Sequence, residues 1–134
     1  MQSIKTVKPV QCHLWKDKVV GRGELAALEQ VQLFKDQSHL TRSLLRCTQC
    51  GQLYYYEFYE EIDWVSGEDP QCRTFIPIED DEETIEALNR MTPHELLAVS
   101  PRLQMDWWED EPDRPNKAVW AGYDEEPRHA QLVE

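Results

Sequence analysis

The chain has 134 residues, a formal net charge of −12, 40% apolar residues and 30% charged residues. That length suits one domain with a modest core, and no run approaches the roughly 20 apolar residues that cross a bilayer as a helix. Residues 1–50 hold eight Lys/Arg against four Asp/Glu, while residues 51–134 hold six against twenty-two; the second half therefore repels phosphate backbones, and no direct nucleic-acid binding is expected through it.

The first residues, Met1-Gln2-Ser3-Ile4-Lys5, lack the apolar stretch of a secretory signal. The expected compartment is the cytoplasm. Thiols stay reduced there, so the four cysteines point to metal or free thiols rather than disulfides. Residues 4–15 read as an extended arm anchored by Val7, Val10, Leu14 and Trp15. Residues 16–23 form a turn region punctuated by Gly21 and Gly23. Leu25, Leu28 and Val31 share a face at helical spacing, with Ala26 and Ala27 in support, which predicts a helix over 24–34. Residues 40–46 alternate as a strand, although a short helix fits almost as well.

Residues 52–64 give the strongest strand signal. Tyr54, Tyr56, Phe58, Ile62 and Trp64 share one face, and Tyr55, Glu57, Tyr59, Glu61 and Asp63 the other. This predicts a half-buried antiparallel strand with an acidic outer face. A turn over 66–70 leads to a returning strand over 72–78, with Pro77 near its end. Residues 80–91 read as a helix with acids in its first turn. Thr92 as N-cap, Pro93 at the first helical position and Glu95 at the third open a second helix. Residues 102–108 and 117–121 suit a last hairpin around the acidic loop 109–116. The expected architecture is α+β: an antiparallel sheet of three to five strands, a Cys-x-x-Cys knuckle and two or three short helices. Residues 1–123 form one small domain, and 124–134 a frayed tail.

Cys47-Thr48-Gln49-Cys50-Gly51 carries the clearest chemistry. Two thiolates on one tight turn, followed by a glycine free to take positive φ, are half of a structural zinc site. Zinc wants four ligands. Cys12 is the natural third. His13, His39 and Cys72 compete for the fourth place. On a strand over 40–46, His39 lies about 26 Å from Cys47 at ~3.3 Å per residue, and Cys72 falls beyond a remote turn. His13 is therefore the favoured fourth, on condition that the chain turns at Cys12-His13, because neighbours in an extended segment point apart. A redox pair is disfavoured, since such motifs open helices and this one precedes a strand. A chain without metal is the alternative.

The stretch CTQCGQLYYYEFYEEIDW, followed by DPQCRTFIP, resembles small bacterial zinc-ribbon-like proteins over about residues 8–80. The resemblance implies a metal-stabilised β module. It implies no activity, since such ribbons host many roles.

The leading functional expectation is a non-enzymatic, acidic protein-interaction module with structural zinc, such as an inhibitor or immunity protein covering a basic partner. Its contact surface would be the tyrosine-rich, acidic sheet face and residues 107–113. The competing class is a hydrolase using Glu57, Glu60, Glu61 and Asp63 with His39. The tyrosines and Phe58 do not suit base stacking, because their neighbours are acidic rather than basic. No phosphate-cradling glycine loop, nucleophile elbow or His-Glu-x-x-His helix is present.

Overall fold

The computed structural model describes residues 4–60, 71–107 and 117–123. Seven antiparallel strands make one sheet in the order β1-β7-β6-β5-β4-β3-β2. They are β1 (Val19–Gly21), β2 (Leu28–Gln37), β3 (Leu40–Cys47), β4 (Leu53–Glu60), β5 (Gln71–Ile78), β6 (Arg102–Trp107) and β7 (Lys117–Ala121). Two helices, α1 (Glu82–Arg90) and α2 (Pro93–Leu96), and two 3₁₀ segments, His13–Trp15 and Arg22–Ala27, complete the described chain.

This corrects the expected α+β fold with three to five strands: 48% of the described residues are strand and 22% helix, in a seven-stranded sheet. The reason lies in residues 19–37. The segment read as a helix over 24–34 is one 3₁₀ turn followed by the longest strand, and Val19–Gly21, read as turn, is an edge strand. Ser38 and His39 are the turn of a hairpin, closed by Gln37 opposite Leu40. The strands expected over 52–64 and 72–78, the helix over 80–91 and the last hairpin all occur, as β4, β5, α1 and the β6–β7 pair. Glu61, Ile62, Asp63, Trp64, the turn over 66–70, the loop 109–116 and the tail 124–134 lie outside the described residues.

The sheet must curl. Seven strands side by side at about 4.8 Å place the outer two about 29 Å apart when flat. Gly21 of one edge and Leu28 of the other are joined only by the 3₁₀ segment, which at about 2 Å per residue spans roughly 14 Å. The edges are drawn toward each other at that end, giving an open half-barrel.

Both faces of the central strands are covered. One face carries Leu44, Tyr55, Ile76 and Ile78 against Ala87, Leu88, Met91, Leu96 and Val99 of the helical region. The concave face packs Val20, Cys47, Tyr54, Phe75, Leu103, Met105 and Trp120 against Cys12 and Leu14 of the N-terminal arm. The arm pairs with the sheet backbone at Thr6, opposite Ile78, where Val7 N donates to the Pro77 carbonyl. It is then fastened by side chains. Trp120 Nε1 donates to the Leu14 carbonyl at 2.7 Å and the Tyr123 hydroxyl to that of Trp15 at 2.8 Å. The Trp15 ring lies 4.7 Å from that of Trp120 and 4.6 Å from that of Tyr123.

The helix-covered face also corrects the acidic outer face expected of β4. Tyr55 is fully buried and Glu57 is 2% exposed. The Glu57 carboxylate accepts from Arg42 Nε at 3.0 Å and Nη2 at 2.7 Å. Arg42 Nη1 reaches on to the carbonyls of Leu88 and Asn89 at the end of α1.

Candidate metal centre

The 3₁₀ turn His13–Trp15 is the bend that a Cys12-His13 ligand pair requires. Cys12 is its N-cap, in extended conformation, and the chain tightens directly after it. Cys47 ends β3. The knuckle after it is closed by backbone bonds from Gly51 N to the Cys47 carbonyl and from Cys47 N to the Gln52 carbonyl. Gly51 has φ +85°, and its Cβ position is open, so conformation rather than crowding calls for glycine there.

These two segments bring Cys12, His13 and Cys47 together, with one ligand atom of each within 4.8 Å of the others. His13 Nδ1 lies 4.0 Å from Cys12 Sγ and 3.7 Å from Cys47 Sγ. Both sulfurs are buried with their residues. Cys50 stands outside that mutual limit, yet its thiol interacts with those of both Cys12 and Cys47. The three clustered side chains lie close enough to hold a metal ion, and Cys50, on the same knuckle, is a candidate fourth donor. The alternatives lie elsewhere. His39 Nδ1 is 3.1 Å from Glu60 Oε1 at the far end of β3, and Cys72 sits opposite Tyr59 on β5.

The surroundings orient these groups. His13 Nε2 is 2.9 Å from the Glu24 carbonyl. A carbonyl only accepts, so Nε2 carries the proton and Nδ1 presents its lone pair to the sulfurs. The Tyr54 hydroxyl donates to Cys12 Sγ at 3.0 Å. Burial holds that hydroxyl above its ordinary pKa, so it stays a donor. Burial also pushes the Cys12 thiol up to about 12, against the pull of Tyr54 and the Leu14 amide. Cys47 goes the other way. Burial works to raise it, but the amides of Gln49 and Cys50 and the thiols of Cys50 and Cys12 hold it below its ordinary value. Cys47 is thus the sulfur on which negative charge is best supported. Sequence spacing pointed to His13 and the knuckle. It carried no sign of Tyr54 or the Glu24 carbonyl, which reach the site only through the curl of the sheet.

The carboxylates expected to form a cluster do not converge among the described residues. Glu57 is committed to Arg42 beneath the helices, whereas Glu60 meets the exposed His39 and the Gln71 amide. The expected proximity of His39 and Glu60 is present, as a surface pair. No described helix is long and apolar enough to cross a membrane. Comparison with protein-family models, with curated proteins and with solved structures returned no match.

Proposed function

We propose that the chain is a non-enzymatic protein-interaction module whose N-terminal arm is pinned to the sheet by one structural zinc ion, held by Cys12, His13, Cys47 and Cys50. The observation that carries the zinc reading is the bond between His13 Nε2 and the Glu24 carbonyl. Metal-ligating histidines characteristically donate their second ring nitrogen in this way, which fixes tautomer and ring orientation. Three thiols and one imidazole form a soft donor set that suits zinc over hard cations. Four protein ligands leave no open position for substrate, so the ion's role is structural.

Elemental analysis of the purified chain tests this. The expected result is one zinc per chain, lost in Cys47→Ser and Cys50→Ser and retained in Cys72→Ser. A reduced wild-type chain that takes up no zinc on reconstitution overturns it.

Charge supports the interaction reading. A net −12 favours fast, salt-sensitive association with a basic protein. The burial of Tyr54, Tyr55 and Glu57 moves the contact surface away from the β4 face, onto the remaining exposed acids. The expected complex is stoichiometric with a basic protein at low salt and is weakened at about 0.5 M salt, where exposed charges are screened. Absence of any such complex at low salt counts against it.

A further inference from the structure

The concave side of the half-barrel holds a cavity of about 500 Å³, within the ~300–1,000 Å³ range of small-molecule sites. Leu45, Tyr56, Phe75 and Met105 form its floor on the sheet, and Leu25 and Ala26 of the 3₁₀ segment form its roof. The roof is held in place from outside the cavity. The Glu24 carbonyl is bonded to His13, and the Ala27 carbonyl accepts from the amide and the hydroxyl of Thr48.

The charged groups on this lining run against the composition of the chain. With 26 acids to 14 Lys/Arg overall, the described lining has no acid and two arginines, Arg22 and Arg73. Two other arginines have carboxylate partners: Arg42 has Glu57 and Arg46 has Glu29. Among the described residues Arg73 has only neutral ones. Its guanidinium lies 4.9 Å over the Phe58 ring, its Nη1 is 3.4 Å from Gln71 Oε1, and it meets the Tyr56 hydroxyl. Arg73 is half-buried and Arg22 exposed. A stacked guanidinium beside apolar walls, without a counter-charge among these neighbours, is a ready receptor for an oxyanion.

We propose that this cavity binds a small amphipathic anion, its apolar tail against Leu25, Leu45, Phe75 and Met105 and its single oxyanion head on Arg73, with Arg22 at the rim. The inference goes beyond the zinc reading and does not rest on it, because Thr48, which is no metal ligand, also ties the roof through the Ala27 carbonyl.

The test uses the full chain and four ten-carbon probes below their micelle concentrations: decanoate, decyl phosphate, decanol and decyltrimethylammonium. Calorimetric titration is expected to show saturable binding of an anion, at least about tenfold tighter than decanol, with no binding of the cation. The tighter of the two anions identifies the head as carboxylate or phosphate. Arg73→Gln is expected to weaken anion binding at least about tenfold with an unchanged circular dichroism spectrum, and Arg22→Gln to weaken it less. With methyl-labelled methionine, the Met105 signal shifts on titration while that of Met91, in the helix-side core, stays. Equal affinity for decanol and both anions, no saturable binding, or unchanged affinity in both arginine variants overturns the proposal. Metal content measured on the same preparation separates the two readings: a zinc-free chain that binds the anion leaves this inference standing, and a zinc-loaded chain that binds none removes it.

Discussion

Tyr54 works at both ends. Its ring fills the arm-side core at 0% exposure, and its hydroxyl donates to Cys12 Sγ. Tyr54→Phe keeps the ring and deletes one bond to a candidate ligand, so, for the proposed zinc site, affinity is expected to fall about 10- to 100-fold, read by competition with a chromophoric chelator; unchanged affinity refutes the role. Arg42 and Glu57 form a buried ion pair, at 3% side-chain exposure each. Glu57→Leu leaves a buried guanidinium unpaired and is expected to cost about 3–5 kcal/mol in urea unfolding, whereas Arg42→Met combined with Glu57→Leu costs much less than the sum of the two single changes. Burial raises the Glu57 carboxyl above its ordinary value, against the bonds and charge of Arg42. For an acid raised in the folded state, the contribution to stability is full below the unfolded pKa and is lost as pH rises through the folded one. The stability of the wild type relative to Glu57→Gln is therefore expected to grow on acidification from neutral pH toward the ordinary carboxyl range; a difference that shrinks there contradicts the raised value. Glu57 departs from the sequence expectation because alternation signals one wet face, and here helices cover that face.

Among the elements, α2 announces itself locally. Thr92 Oγ1 accepts from Glu95 N at 3.1 Å, Glu95 Oε1 accepts from Thr92 N at 2.8 Å, and Pro93 opens the helix. Thr92→Ala is expected to cost about 1 kcal/mol, read as a lowered unfolding midpoint; no change would mean that tertiary packing alone holds this turn. Such a cap is legible because all its parts lie within four residues. β2 is the opposite case. Residues 24–30 are rich in good helix formers, but propensity differences are a few tenths of a kcal/mol per residue, and pairing along the whole of β3 outweighs them. The usual strand signal is also blurred. Register shifts between Gln30 and Gln32 and between Leu33 and Lys35 break the period of two. Most of β2 is exposed, so little apolar patterning was needed there.

At the scale of the molecule, two cores lie on opposite faces of one sheet and depend differently on the candidate metal centre. The helix-side core is built from β3, β4, β5 and the helical region, with Ile4 as its contribution from the arm, and none of its buried members is a candidate ligand. The concave core includes Cys12 and Cys47 among its buried residues. The arm has a second fastening in Trp15, Trp120 and Tyr123, which needs no ion. Chelation of a zinc-loaded chain should therefore loosen the fold locally before it unfolds it. The free energy withdrawn is about 4 kcal/mol where free zinc had stood a thousandfold above its dissociation constant. The freed backbone is that tied to the ligands: residues 10–13, the roof segment 22–28 that His13 holds through Glu24, and the knuckle 47–52. Hydrogen exchange with and without chelator is expected to show faster exchange in those three stretches, with the amides of β4, β5 and α1 still protected. Uniform loss of protection would mean that the two cores fold as one unit. Protection unchanged everywhere, with the metal gone, would mean that hydrogen bonds and the aromatic lock fasten the arm without any ion.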